Sequence, residues 1–244
     1  MKNSLTIKQK IEDTGLDHNL LVPVTEILRL AEIVAFNHAD SIGLDHKTMQ
    51  EKSNAFWVVS KIKVFLKDNI TQNEKVTLKT WTATPSMIRC DRFISIKSAG
   101  KVKAKIVSEW CCLDYTTRKI RKISSINYPN LEMADSSIIA PNYSNLKLDV
   151  DKNDYCYTRV VRSTDIDVNL HTNNLKYNFM ALDAFTIEEL NGVDFKEYEI
   201  YFVNESHLGD NIDIYKRKYK NYYYVEGKVQ DKTIFRVVIK FKRK

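Results

Sequence analysis

The stretch NEKVTL at residues 73–78 and the stretch GDNIDI at residues 209–214 decide the fold of this chain, because they have the same shape. Each places turn and acidic residues ahead of alternating apolar positions, a pattern typical of a turn that leads into a strand. An aromatic residue, Phe65 in the first half and Tyr201 in the second, stands eight residues before each stretch. We interpret this correspondence as an internal duplication, in which each half of the chain builds the same kind of domain.

The first half reads as one helix and several strands. Apolar residues recur at helical spacing over residues 24–42, with Pro23 at the start and Gly43 at the end. His38 continues this apolar stripe, which indicates a core histidine. Aromatic and β-branched runs predict strands at residues 5–11, 55–67, 74–83, 91–97 and 101–114, and a short edge strand at residues 117–123.

The second half repeats this order after residues 127–153, which lose all periodicity and predict a linker. A helix is expected over residues 174–190, with Leu175, Phe179, Leu182 and Phe185 along or near one face. Strands are expected at residues 155–161, 194–204, 211–218, 221–230 and 232–242. One long helix against a twisted antiparallel sheet, made twice, is an α+β architecture.

The composition is that of an ordinary globular protein. The chain has 244 residues, 43% of them hydrophobic and 28% charged, so it can bury a core without disulfides or metals. No CxxC pair or histidine cluster accompanies the four cysteines, Cys90, Cys111, Cys112 and Cys156. We therefore expect reduced thiols and neither a zinc site nor a cofactor. No apolar run approaches the roughly 20 residues that span a bilayer, so we expect a soluble protein without membrane insertion.

The net charge is +7, and basic residues cluster at 118–122, 216–218 and 240–244. Such a surface can attract nucleic acid, a membrane or an acidic protein. No zinc finger, RRM or KH signature is present, which argues against nucleic acid. An acidic protein partner remains open.

The stretch RSTDIDVNLHTNNLKY at residues 162–177 carries the most chemical information. Six polar residues crowd together just before the second helix: Asp165, Asp167, Asn169, His171, Asn173 and Asn174. Any one Asp, Asn or Thr could serve only as a helix cap. Capping, however, does not call for alternating Asp-x-Asn-x-His, a spacing that in an extended segment places those three side chains on one face.

This set of residues suits transfer of an acyl group to water. The free N–H groups of the helix that begins near Asn173 can hold the oxyanion of a tetrahedral intermediate. Asn169 can orient water or the carbonyl, and His171 can donate or accept a proton near neutral pH. Asp167 can hold the histidine or a neighbouring donor in place.

A second polar group, Asn204-Glu205-Ser206-His207, ends a strand. Glu205 is a reasonable general base for an attacking water, although a solvated loop glutamate is the simpler interpretation. Ser206 has no evident partner to activate it as a nucleophile, and His207 is interpreted as a surface or loop histidine. Asp17-His18-Asn19, before the first helix, is interpreted as a decayed duplicate of the polar segment in the second half.

The chain resembles the acyl-ACP thioesterase family of plant plastids and bacteria. Residues 165–177 resemble the family's D-x-N-x-H-x-N-N-x-K-Y motif throughout. Residues 199–210 are similar to a family segment with a glutamate at the end of a strand, and residues 57–114 add weaker similarity.

The resemblance implies two tandem hotdog domains, at residues 1–126 and 154–244, joined by the linker. It implies an acyl-chain tunnel in the first domain and a catalytic set in the second, formed by Asp167, Asn169, His171 and Glu205. Asn173 and Asn174 then contact the substrate. The implied partner is acyl carrier protein, whose acidity gives the basic surface a role in steering.

Two departures from the plant pattern matter. Plant members usually carry a cysteine after that glutamate, whereas this chain has Ser206, which favours water activated by Glu205. The sequence also shows no plastid transit segment, so we expect a bacterial, cytoplasmic enzyme.

Two other functions remain open from the sequence. One is a hotdog thioesterase that acts on acyl-coenzyme A, and the other is a non-catalytic module that binds or senses fatty acyl groups. The preferred chain length and saturation are not encoded in any pattern that the sequence shows. Monomer and homodimer are both compatible with a tandem chain.

Overall fold

A computed structural model of the protein describes residues 2–132 and 141–243. The chain divides into two compact units, Met1–Pro141 and Asn142–Lys244. Of the predicted linker, residues 133–140 lie outside the described residues, as does Lys244 of the last basic cluster. In the described ranges, no helix has the length and apolar character needed to cross a membrane.

The first unit combines helices with an antiparallel sheet. Its elements are β1 (Ser4–Lys10), α1 (Val24–Ser41), α2 (His46–Ser53), β2 (Ala55–Leu66), β3 (Lys75–Thr82), β4 (Arg89–Ser98) and β5 (Lys101–Asp114). The strands pair in the order β1-β3-β4-β5-β2. The predicted strands before residue 115 are therefore confirmed, with shifts of one or two residues at their ends.

Helix α1 packs against β1, β3 and β4 through the apolar stripe that the sequence predicts. Ile27, Leu30 and Val34 are buried in this interface, and His38 is 1% exposed. Pro23 occupies the N-cap position. Beyond the last turn, Gly43 has a φ of 71°, a left-handed conformation that favours glycine, as expected at a helix end.

Two features of the first unit differ from the prediction. The edge strand predicted at residues 117–123 is reduced to a single antiparallel β-bridge, in which Ile120 pairs with Leu113 of β5. The Asp114 carboxylate accepts the N–H groups of Thr116 and Thr117, at 3.1 and 2.8 Å, and turns the chain back toward β5. Helix α2 was not predicted because Met49 is its one buried residue, which leaves no apolar periodicity. Its signal is the N-cap Asp45, whose side chain accepts the N–H of Thr48 at 3.0 Å.

The second unit repeats this arrangement, but its main helix, α3, is shorter than α1. Its elements are β6 (Tyr155–Val160), α3 (Asn174–Leu182), α4 (Ile187–Asn191), β7 (Val193–Phe202), β8 (Asn211–Lys218), β9 (Tyr222–Val229) and β10 (Lys232–Arg243). The strands pair in the order β7-β10-β9-β8-β6. Read from the first strand of each unit, both sheets have the order first, third, fourth, fifth, second.

The helix predicted at residues 174–190 is two helices. It ends at Leu182, and Thr186 starts a new helix by accepting the N–H of Glu189 at 3.2 Å. The predicted face is also wrong in part, because Phe179 is 44% exposed. The residues that α3 buries are Tyr177, Asn178, Met180 and Ala181.

Candidate active site

The polar loop before α3 is folded back on itself rather than extended. The Asp167 carboxylate accepts the backbone N–H of Asn169 at 2.8 Å and that of His171 at 3.3 Å. The N–H of Asp167 in turn donates to the carbonyl of His171 at 2.8 Å, and Leu170 has a φ of 64°. The expectation of an extended segment with three side chains on one face is therefore wrong. The Asp167 side chain thus fixes the shape of the loop by binding backbone N–H groups of the loop, as aspartate does in turns.

His171 and Glu205 come together although they are distant in sequence. Nε2 of His171 lies 3.3 Å from Oε2 of Glu205. The His171 side chain is 19% exposed and that of Glu205 is 49% exposed, so this pair is open to a ligand from solvent. The ring of His207 stands edge-on to that of His171, with 5.0 Å between the centroids.

A buried hydroxyl network joins the loop that carries His171 to the loop that carries Glu205. The Ser206 side chain is fully buried, and its Oγ lies 2.7 Å from Thr172 Oγ1 and 2.9 Å from the Tyr177 hydroxyl. The Ser206 N–H donates to the Tyr177 hydroxyl at 3.2 Å, and the Thr172 N–H donates to the Ser206 carbonyl at 2.9 Å. Ser206 is thus a structural residue, out of reach of solvent.

At the N-terminus of α3, the backbone N–H of Asn174 has no acceptor among the described residues. The Asn173 side chain caps the helix by accepting the N–H of Leu175 at 2.8 Å, and the Asn173 N–H donates to the Asp165 carbonyl at 2.8 Å. The side-chain amide of Asn169 likewise forms no hydrogen bond to the described residues. Asn169 and Asn174 are both half-buried.

The buried Asp165 carboxylate anchors this loop to neighbouring basic and backbone groups, a role that the sequence did not reveal. Its carboxylate is 1% exposed and accepts the Arg162 N–H at 2.9 Å. Arg159 lies 3.1 Å and Lys176 3.8 Å from the same carboxylate. Asp165 lies within the polar stretch, but nothing in its spacing distinguished a buried, paired carboxylate from an exposed one.

The first unit contains the same loop. The Asp17 carboxylate accepts the N–H of Asn19 at 2.8 Å and that of Leu21 at 3.0 Å, and the Asp17 N–H donates to the Leu21 carbonyl at 2.8 Å. This is the pattern seen around Asp167, which supports the interpretation of Asp17-His18-Asn19 as a duplicate. In the copy, Leu21 stands where the second unit has His171.

The copy also lacks the glutamate. The Val22 N–H donates to the Ile70 carbonyl at 2.9 Å, as Thr172 donates to Ser206, and this pairing aligns the two segments. Asn69 therefore occupies the position of Glu205. The first unit repeats the scaffold of the loop without either ionisable residue, so the candidate site belongs to the second unit.

None of the four cysteines offers a ready nucleophile. Burial raises the pKa of the Cys90, Cys111 and Cys156 thiols above its ordinary value, and raises that of Cys112 to about 11. All four are free thiols. Because the thiolate is the reactive form, these residues are unreactive near neutral pH.

Two acyl-ACP thioesterases of known structure superpose on this chain over nearly its whole length. An acyl-ACP thioesterase from Bacteroides thetaiotaomicron superposes with a TM-score of 0.84 at 24% identity, covering 98% of both chains. The 12:0-ACP thioesterase from Umbellularia californica has a TM-score of 0.83 at 15% identity, covering 100% of this chain and 99% of that one. The helix on an antiparallel sheet and these structures define a hotdog-like α+β fold.

The sequence then identifies the family within this fold. The family models for the acyl-ACP thioesterase N-terminal and C-terminal domains match residues 4–126 and 149–243. The chain belongs to the acyl-ACP thioesterase family.

Chloroplastic relatives of the chain are longer than the chain itself. A chloroplastic palmitoyl-acyl carrier protein thioesterase of Gossypium hirsutum is 28% identical over 162 residues, which cover 62% of this chain and 39% of the relative. Oleoyl-acyl carrier protein thioesterase 1 of Arabidopsis thaliana, also chloroplastic, is 21% identical over 234 residues, covering 87% of this chain and 64% of the relative. The matches thus span less than two thirds of these relatives' own length.

Proposed function

We propose that this protein hydrolyses the thioester of a fatty acyl-acyl carrier protein, releasing the free fatty acid and ending chain elongation. The observation that carries the proposal is the contact of His171 with Glu205, at 3.3 Å, in the same unit as a helix N-terminus where the Asn174 N–H has no acceptor among the described residues. A base and an oxyanion donor are the two elements that acyl transfer to water requires. Membership of the acyl-ACP thioesterase family supports the substrate class.

In the proposed reaction, Glu205 takes a proton from a water molecule as the water oxygen attacks the carbonyl carbon. The carbonyl π electrons move to oxygen and give a tetrahedral oxyanion. When the C=O bond re-forms, the C–S bond breaks and the sulfur leaves with the electron pair. The proton held by Glu205, relayed through His171, then neutralises the thiolate, so the products are a carboxylic acid and a thiol.

The surrounding residues take positioning and electrostatic roles. The N–H of Asn174 and the amide of Asn169 donate to the oxyanion, since neither has an acceptor among the described residues. Asn173 contributes as the cap that fixes the helix N-terminus. Asp167 positions His171 by accepting its backbone N–H.

The two units are proposed to be tandem hotdog domains. The same strand order in both sheets and the same aspartate turn before both long helices support this proposal. The domain limits at residues 1–126 and 154–244, with an acyl-chain tunnel in the first, stay predictions. Expression of residues 142–244 alone, followed by circular dichroism and thermal unfolding, tests whether the second unit is an independent domain.

The acidic carrier is proposed to dock on the basic cluster at residues 118–122. Lys119 and Lys122 are exposed and form no ion pair with the described residues. The cluster at residues 216–218 is less available, because Lys216 pairs with Glu189 and Arg217 with two aspartates. Charge reversal of Lys119 and Lys122 should raise KM for acyl-ACP and weaken its salt dependence, while KM for acyl-CoA stays unchanged.

The setting is proposed to be the bacterial cytoplasm. Four free cysteines suit a reducing compartment, and the Bacteroides structure gives a bacterial precedent for the fold. Cell fractionation of the native host tests this assignment. Monomer and homodimer are separated by light scattering on the purified chain.

The decisive experiment measures thiol release from a panel of acyl-ACPs and matching acyl-CoAs. Glu205→Gln should lower turnover by roughly 10²-fold or more, since it removes the base with little change of shape. Asn169→Ala should lower it by a similar factor through loss of an oxyanion donor. Glu188→Gln, at an exposed glutamate of α4, is the matched control and should leave turnover unchanged.

Three other outcomes of the thiol-release experiment would contradict the proposed function or site. Wild-type rates from both Glu205→Gln and Asn169→Ala would refute the proposed site. Faster hydrolysis of acyl-CoA than of acyl-ACP would move the protein to the acyl-CoA thioesterases. Tight acyl binding without turnover on any thioester would make it a binding or sensor module.

A further inference from the structure

His207 joins the candidate site as a third possible metal ligand. One ligand atom from each of His171, Glu205 and His207 lies within 4.8 Å of the other two. The expectation of no metal site rested on cysteine spacing and on the absence of a histidine cluster in the sequence. Folding creates the cluster by bringing together two loops that are distant in the chain.

The donor set and spacing suit zinc. Zn²⁺ takes imidazole nitrogens and carboxylate oxygens at about 2.0–2.2 Å in a tetrahedron, which separates ligand atoms by roughly 3.3–3.5 Å. The His171–Glu205 pair already has this spacing, at 3.3 Å. The His207 side chain is 60% exposed, so it is free to rotate the remaining distance toward the other two ligands.

Asp210 provides the outer partner that metal-binding histidines usually have. Its Oδ2 accepts the backbone N–H of His207 at 2.8 Å and lies 4.0 Å from Nδ1 of the same residue. At 4.0 Å this carboxylate does not hydrogen-bond to Nδ1 in the present orientation of the ring. When the ring rotates toward the metal, the carboxylate can accept Nδ1–H and leave Nε2 of His207 as the ligand atom. Three protein ligands leave the fourth position of the tetrahedron to water.

We propose that His171, Glu205 and His207 form a Zn²⁺ site, and that zinc bound there inhibits thioester hydrolysis. Binding stands on the three ligands alone. Inhibition rests on the proposed function, because zinc takes the lone pairs of the two residues, His171 and Glu205, that are proposed to move the proton. His207 has no part in the hydrolytic reaction, so it separates the two effects.

Isothermal titration of the full, chelator-treated chain with ZnCl₂ tests the site. Wild type should bind one Zn²⁺ that His207→Ala binds at least roughly 100-fold more weakly, since loss of an outer partner alone costs about 10–100-fold. His18→Ala, at an exposed histidine of the first unit, is the matched control and should bind as wild type does. Co²⁺ in place of Zn²⁺ should give visible bands of a tetrahedral complex in wild type and not in His207→Ala.

The proposed inhibition is tested by measuring the rate of thioester hydrolysis in the presence and absence of Zn²⁺. His207→Ala should keep its basal turnover and lose its sensitivity to zinc. Equal zinc affinity in wild type and His207→Ala overturns the site. Zinc that binds at the site without slowing hydrolysis, or that speeds it, overturns the inhibition.

Two further controls keep these outcomes distinct. If no thioester is hydrolysed, the titration still decides the metal site and the failure belongs to the proposed function. If His207→Ala does not fold, as judged by circular dichroism, His207→Phe takes its place, since it keeps an aromatic ring and lacks the ligand nitrogen. That variant should also bind zinc at least roughly 100-fold more weakly than wild type, and unchanged binding would overturn the role of His207.

Discussion

Replacing Tyr177 with phenylalanine tests the contribution of the buried hydroxyl network to the candidate site. The substitution removes one oxygen, which accepts the Ser206 N–H at 3.2 Å and lies 2.9 Å from the Ser206 Oγ. The ring stays in place, because it packs against Phe235 with 5.3 Å between the centroids. The change is therefore confined to the contact between α3 and the loop that carries Glu205.

The expected cost follows from burial. Ser206 is fully buried, so its N–H cannot replace the lost acceptor with water. A buried donor left without a partner costs about 1–3 kcal/mol, which is the expected loss in the free energy of unfolding for Tyr177→Phe. Because Glu205 is the neighbour of Ser206, its carboxylate also loses its fixed position. A displacement of about 1 Å can lower turnover by roughly 10²-fold.

Tyr198→Phe is the matched control. Tyr198 is another buried tyrosine of the second unit, and its hydroxyl donates to Asn178 Oδ1 at 2.8 Å rather than to the site. It should lose a comparable amount of stability and keep its turnover. Urea unfolding is best followed by circular dichroism, because the three tryptophans all lie in the first unit. Equal loss of turnover in both variants, or no loss of stability in Tyr177→Phe, would refute the reasoning.

Three further predictions address other parts of the molecule. Burial and the adjacent Arg92 guanidinium lower the pKa of His38 to about 4, so below about pH 6.5 the unfolded chain binds a proton that the folded chain does not. Stability should fall by up to roughly 3 kcal/mol between neutral pH and pH 4, and urea unfolding of His38→Gln should show a smaller dependence. Ser206→Ala should keep turnover within about 10-fold of wild type in the thiol-release assay, because loss of a true nucleophile costs far more. Gly227→Ala places a Cβ 2.3 Å from the buried Phe235 ring, so the urea midpoint should drop with a loss of about 1–3 kcal/mol.

The sequence determined the elements that depend on local pattern. Alternating apolar and β-branched runs predicted the approximate positions of all ten strands, and one further strand at residues 117–123 that does not form as an element, because a strand's two faces differ in burial. The stripe of Ile27, Leu30 and Val34 predicted α1, and every one of these residues is buried. Helix α2 buries only Met49, so its sequence shows no apolar periodicity from which a helix could be predicted.

The sequence also placed the chemically distinctive residues in two short segments. It singled out Asp167, Asn169, His171 and Glu205 by residue type and by resemblance to a family. It did not reveal that Asp167 binds backbone N–H groups instead of a side chain, because that depends on a turn with Leu170 at a φ of 64°.

Only the tertiary structure decided which of these residues meet. The 3.3 Å contact of His171 with Glu205, the burial of Ser206 beneath Tyr177 and the approach of His207 all join segments distant in sequence. Local periodicity reports the environment of one element at a time. Contacts between loops depend instead on how α3 packs on its sheet, and that packing is a property of the whole unit rather than of any stretch of sequence.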